Sequence, residues 1–518
     1  MATRDEGRSI GNEKSDDECR ITVPQDSNSN SHEISGKEGD WLYSLAKSRE
    51  YIVSSQKPKM QKVPKLHRKV QSNISCYKPL VVSIGPFHHR KFRLQPMENY
   101  KKLLAVEFAD QDSNKPTTEG ASPWLSTNSV SIDELYRRVK NIMPNVRKCY
   151  AEDRIKKYSY EEFAQMMFLD GCFILQYLRC IVTGNDKELK MKSHEIAFIR
   201  RDLFLLENQL PFEVLQVLMS CKFKNNEGMK MIDTFISSAH NKRPQAQGCR
   251  FIQSIKDFVL YFFPTQKFVN CLGKICQGEG PSRPPQKKEK PPLHLLELLR
   301  TYRILPETTY HIDPETFSKG GCYLTGELCS YRSAKELRKA GIHLRPGKSR
   351  HLSDVKFYSS FHCSSLLTLP PITVDDSTKS EFLNLVAYEA CPDTPDDFVV
   401  TSYLCFMDSL IDHPEDVKEL RKRRILRNFV GSDQEVADLF NEIARDLVPN
   451  PRAYVDVKEQ IEKHCNNRGK VWIGEWKSTH FTNPWTIIAF IAAICVIGLQ
   501  VSDTYLASIQ AYYAVPHK

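Results

Sequence analysis

Two short polar stretches hold side chains whose types could do chemistry: the adjacent His88 and His89, and the run Glu207, Asn208, Gln209. Paired histidines suggest a metal site. Neighbouring residues on an extended chain point to opposite faces, however, so these two rings do not form a ready metal pair, and a structural role is expected for them. Glu207, Asn208 and Gln209 sit in an apolar helical pattern just before Pro211. They fit either a polar site inside a helical bundle or the capping of two helix ends that the proline separates.

Larger signatures are missing. There is no phosphate-cradling glycine loop, no Gly-x-Ser-x-Gly elbow, no His-Glu-x-x-His, and no paired carboxylates with a supporting motif. The 16 cysteines include no Cys-x-x-Cys pair. In a large chain whose start reads as lacking a signal peptide, they are expected to be reduced thiols packed as small apolar groups. No catalytic, cofactor-binding or metal site is therefore expected, and the chain reads as a non-enzyme. The alternative is an enzyme acting at a membrane surface with catalytic groups far apart in sequence.

The elements that would position these residues are mostly helical. Residues 1–39 are acidic and polar and read as a disordered tail. Asp40 can cap a helix carrying Trp41, Leu42 and Leu45, and a basic segment from Lys57 to Val70 follows, read as a solvated loop or a face for anionic lipid. Residues 80–84 read as a short strand stopped by Gly85 and Pro86, with a helix from Pro96 and a polar insertion over 110–130. The apolar run through Phe163, Met167, Phe173 and Leu178, around Asp170 and Gly171, implies a helix buried on most sides. Ile199, Leu203, Leu206, Leu210, Val214 and Leu218 form a stripe that Pro211 breaks into two helices.

Residues 40–277 thus form a helical first half, 278–292 a Pro- and Lys-rich linker, and 293–480 a second half of helices with a small β element over 352–374. The fold class is mainly α, with α+β character in the second half. A basic cluster from Lys418 to Arg427 reads as a solvated helix face paired with Glu415, Asp416 and Glu419.

The 17 residues from Trp485 to Val501 carry no charge. A helix over 484–503, begun at Pro484 and rich in Trp485, Ile487, Ile488, Phe490, Ile491, Val496 and Leu499, is about 30 Å long, the thickness of a bilayer's hydrocarbon core. It reads as a transmembrane helix, with 504–518 as a short tail and membrane lipid as its partner. Lys458, Lys463, Arg468, Lys470 and Lys477 precede the span and only Lys518 follows, so the body is expected in the cytosol. The net charge of +10, from 73 basic and 63 acidic residues, does not by itself indicate nucleic acid, and none is expected. A mean hydropathy of −0.45 fits one span in a polar chain.

Several ordered stretches together resemble the plant domain of unknown function 247 family. They are Tyr77 to Glu98, with Gly85, Pro86, His88 and His89; the run around Asp170 and Gly171; Leu206 to Phe212, with Glu207, Asn208, Gln209 and Pro211; His294 to Arg300; Ser333 to Leu337; Asn384 to Glu389; Gly431 to Asp433; and Asn483 to Trp485. Arg90 stands where the family usually has Gly, and Ala390 where it usually has Gln. The resemblance implies a plant single-span membrane protein with no established enzymatic activity. Some grass members are associated with pollen self-incompatibility, which makes recognition of an unknown protein partner the role it implies.

Overall fold

In the computed structural model of this chain, residues 59–110, 128–240, 291–304, 332–359, 365–467, 469, 471 and 484–514 are described. The acidic tail, the helix expected after Asp40, and nearly all of the 110–130 insertion and the 278–292 linker lie outside them.

The first half contains α1 (Gln95–Asp110), α2 (Ile132–Arg147), α3 (Glu152–Ile155), α4 (Tyr160–Thr183), α5 (Ser193–Asp202), α6 (Phe212–Lys222) and α7 (Glu227–His240). The others gather round α4. Its start is set by a reciprocal capping box in which Ser159 Oγ accepts from Glu162 N at 3.1 Å and the Glu162 carboxylate accepts from Ser159 N at 2.9 Å. Gly184, at φ +74°, closes its other end. Between the caps, Phe163, Met167, Phe173 and Leu178 are all buried, as their density in the sequence predicts. Gly171 marks the crossing with α6: a Cβ there would lie 2.6 Å from Leu218 Cδ1, so only hydrogen lets the two helices approach this closely.

The second half contains α8 (Leu295–Arg303), α9 (Ala334–Lys339), β1 (Ile342–Pro346), β2 (Lys356–Tyr358), β3 (Ser365–Leu369), β4 (Ile372–Val374), α10 (Thr378–Glu389), α11 (Val399–Leu410), α12 (Pro414–Lys422), β5 (Leu426–Asn428), α13 (Asp433–Ala444) and α14 (Val455–Cys465). β3 lies between β1, parallel to it, and β2, antiparallel, while β4 pairs with β5 in parallel. The β element therefore begins earlier than the 352–374 stretch and extends into the basic cluster. In β1 Ile342 and Leu344 are buried with half-buried His343 between them, whereas β5 buries Leu426 alone. In the basic cluster Arg423 pairs with Glu419 and Arg421 with Asp433, whereas Asp416 caps α12.

The protein is mainly helical with a few short strands. The buried apolar side chains from Met60 to Val457 form one cluster, so the halves share a core.

Among the described residues, two helices are long and apolar enough to cross a membrane. One is α4, a buried core helix. The other lies within α15 (Pro484–Ala514), whose Ile488, Phe490, Val496 and Leu499 are exposed. At about 1.5 Å per residue α15 is roughly 46 Å long, because the helix continues past Asp503 through Tyr505 to Ala514.

α8 shows how the fold stores a pH dependence. His294 is its N-cap, with Nδ1 accepting from Glu297 N at 3.1 Å, and burial pushes the ring down to about 3. The unfolded ring titrates near ~6.5. The depressed folded value means that this stability is fully present above about pH 6.5 and is lost as pH falls toward 3, about 2 kcal/mol being gone by pH 5. His294→Asn keeps a capping acceptor but cannot titrate. Denaturant titrations at pH 7 and pH 5 should show the variant losing about 2 kcal/mol less than the parent chain, and equal losses would contradict this assignment.

Candidate functional site

Among the described residues, no strand pairs with the extended segment at 80–85. Its backbone donors go to side chains instead. Leu80 N, Val81 N and Val82 N donate to the Asp202 carboxylate at 2.9, 2.7 and 3.1 Å, Ile84 N to Asn208 Oδ1 at 2.7 Å, and Gly85 N to Asp170 Oδ2 at 2.7 Å. The strand expected here is thus an extended strap whose ladder partner is a set of carboxylates and an amide. Burial pushes the Asp202 carboxyl up, against the pull of the three amides and of Arg201. Arg201 holds the chain just before the strap through carbonyls, donating to Ser75 O at 2.8 Å and Lys78 O at 3.2 Å.

Beneath the strap lies a buried charge cluster. Lys101, fully buried on α1, sits 2.6 Å from Asp170 Oδ1 and 2.7 Å from Glu98 Oε1, and donates to Ser83 O at 2.5 Å. Burial pushes the Asp170 carboxyl up, while the Lys101 charge and the Gly85 amide pull it down. Burial also works against the Lys101 charge, but Asp170 and Glu98 outweigh it and hold its pKa above the usual lysine value. Such a cluster withstands desolvation because each charge is both paired and hydrogen-bonded.

The residues singled out in the sequence meet at this strap. Gly85 adopts φ +69°, and a Cβ on it would lie 2.9 Å from Gln209 O and 3.2 Å from the Tyr150 hydroxyl. Pro86 O accepts from Tyr158 Oη at 3.1 Å. Asn208 Nδ2 donates to Val82 O at 3.1 Å and Asp202 O at 2.9 Å. Gln209 Nε2 donates to Leu203 O and Leu205 O at 2.7 and 2.8 Å, while its Oε1 accepts from Leu296 N at the start of α8 at 3.1 Å. Pro211 is the N-cap of α6. Glu207 accepts from Val63 N at 3.0 Å and pairs with Arg68.

The two histidines diverge. His88 is buried, with Nδ1 at 2.8 Å from Lys91 Nζ; because an ammonium only donates, Nδ1 accepts and the ring proton sits on Nε2, which lies 3.8 Å from Glu207 Oε2. Burial first, then Lys91, Arg68, Lys78 and Arg93, push this ring down to about 3. His89 turns the other way, 3.9 Å from Glu98 and edge-on to Tyr158. Arg90 follows at φ +67°, a conformation that suits the family's Gly; here the side chain pairs with Glu162 at 2.7 Å and covers the Tyr158 ring, which offsets the backbone cost.

The later stretches join the same framework. Leu206 N donates to Asn384 Oδ1 at 2.8 Å, and Asn384 Nδ2 to Cys76 O at 3.0 Å. Arg300 donates to Glu389 Oε1 at 2.8 Å, and Glu389 also accepts from Val400 N and Thr401 N at 3.0 and 2.9 Å, which caps α11. Ser333 and Ser432 cap α9 and α13.

Sequence reasoning missed Lys101 and Asp202. Lys101 was detectable, because it falls on the apolar face of α1 with Met97, Leu104, Ala105 and Phe108. Asp202 gave no signal, since its partners are backbone amides about 120 residues away.

Beside the strap opens a cavity of about 420 Å³. Tyr77 and His88 are buried against it, together with Glu207, while Lys62, Arg68, Lys78, Lys91, Arg154 and Lys157 line it with Asp153.

These joints lie within the part of the chain, residues 60–499, that matches the family described as plant protein of unknown function, DUF247. The chain belongs to that family. It is 29% identical over 460 residues to the UPF0481 protein At3g47200 of Arabidopsis thaliana, covering 85% of this chain and 84% of that protein. It is 23% identical over 481 residues to the putative UPF0481 protein At3g02645 of the same plant, covering 83% and 86%. No solved structure matches.

The charge cluster makes a direct prediction. Asp170→Asn retains an acceptor for Gly85 but leaves buried Lys101 only Glu98, so stability should fall by about 3 kcal/mol in denaturant titration. A loss below ~1 kcal/mol would show that the pair is dispensable.

Proposed function

We propose that this protein is a non-enzymatic interaction protein tethered to a membrane by α15, with its helical body on the cytosolic side. The observation that carries the tether is the exposed apolar run in α15, where Ile488, Phe490, Val496 and Leu499 lie open along a stretch without charge until Asp503. Leaving such a face in water costs about 25 cal/mol per Å², and a bilayer removes that cost. The orientation rests on the Lys and Arg residues that precede the span.

The non-enzymatic reading is supported by how the polar residues of the family stretches are used. Asn208, Gln209 and Asn384 are committed to backbone partners that hold segments together. Groups bound in this way hold shape and leave a preformed surface for a protein partner, the role that the association of some grass members with self-incompatibility suggests.

Carbonate-washed membranes test the tether. Deleting residues 485–501 should move the protein into the soluble fraction, and its retention would contradict the reading. In sealed microsomes, external protease should remove an N-terminal tag and spare a C-terminal one; the opposite pattern would place the body across the membrane. The sequon Asn73-Ile74-Ser75 lies in the body and should carry no glycan if that body is cytosolic, so a glycosidase-sensitive shift on a gel would contradict the orientation.

A further inference from the structure

The cavity beside the strap has a charge that the joints around it do not require. Six cationic side chains line it, against the carboxylates of Asp153 and Glu207. Glu207 already pairs with Arg68, and Asp153 with Arg154 at 2.8 Å. Two of the residues that line it carry a buried donor without a hydrogen-bond partner among the described residues: the Tyr77 hydroxyl and His88 Nε2. Both residues are 4% exposed. A buried donor without an acceptor is costly, and two in one cavity beneath a cationic rim form a half-built site for an acceptor-rich ligand.

We propose that this cavity binds a small anion bearing two or more phosphate groups, held by Lys78, Lys91 and Lys157 at the rim and by the buried Tyr77 hydroxyl and His88 Nε2–H. Each phosphomonoester brings about −1.5 to −2 charge and three acceptor oxygens, so two of them match the charge of Lys78, Lys91 and Lys157. The volume, about 420 Å³, lies within the usual range for small-molecule sites. Burial, then the neighbouring Lys78 charge, depresses Lys91, and the same cations help to depress His88; a bound anion relieves that repulsion. The basic segment at 57–70 gains a role as well, since Lys62 and Arg68 belong to it.

The same chemistry occurs in a free inositol phosphate and in a phosphoinositide headgroup. Titration calorimetry on the full chain in detergent micelles, with inositol trisphosphate and with dioctanoyl phosphatidylinositol bisphosphate, separates the two sources. Saturable binding of either probe is expected: tighter binding of the lipid assigns a headgroup, and tighter binding of the trisphosphate assigns the free compound. Lys78→Gln with Lys157→Gln, both exposed positions, should weaken binding at least ~10-fold without changing the melt. Tyr77→Phe should also weaken binding while leaving the melt unchanged or higher, because it removes an unsatisfied buried hydroxyl. The proposal is overturned if the parent chain binds neither probe, or if affinity survives both sets of substitutions.

Discussion

A buried extended chain must find partners for its amides, and in this protein the strap at 80–85 finds them in side chains. Asp202, Asn208 and Asp170 together take five of its N–H groups. Hydrogen bonds to charged groups contribute about 1.5–3 kcal/mol each, more than a neutral ladder bond, so a carboxylate at the end of α5 can replace a neighbouring strand. The arrangement is also directional. Arg201 and Asp202, adjacent in sequence, take carbonyls just before the strap and amides at its start, which fixes its register against α5.

Much of the rest follows from that placement. With the strap fixed, Ser83 O faces Lys101 and Gly85 N faces Asp170, so a lysine on α1 can be buried in a helical core without an uncompensated charge. Gly85 must then turn with positive φ against Gln209 O, which brings the first family stretch onto the third. Gln209 passes the connection to α8 through Leu296 N, and Asn384 passes another from Leu206 to Cys76. The halves are therefore joined by polar groups inside a shared apolar core. The turn after Gly85 also delivers His88 to the basic cavity.

The helices were legible because apolar spacing acts locally, as in the run from Phe163 to Leu178 of α4, whose caps at Ser159 and Gly184 went unread in the sequence. The interruption at Pro211 was legible for the same reason. What escaped was long-range and polar. Residues 80–84 have the composition of a strand, and nothing in their own sequence says that an aspartate about 120 residues on will take the place of a neighbour. Asn208 and Gln209 stood out as polar residues in an apolar stripe, but the alternatives of a site and a cap are distinguished only by the carbonyls of Asp202, Leu203 and Leu205 and the amide of Leu296. The cavity was illegible because its cations come from three separate segments, 62–68, 78–91 and 154–157.

If side chains do replace a strand at the strap, its amides must be as hard to open as those of the core. Opening free energies approach the global value only where the closed state is part of the cooperative unit. Native-state hydrogen exchange on Leu80, Val81, Val82, Ile84 and Gly85 measures this directly. Protection matching that of α4 is predicted, with selective loss at Leu80, Val81 and Val82 in Asp202→Ala; exchange at the rate of an exposed loop in the parent chain would contradict the central role assigned to these carboxylates.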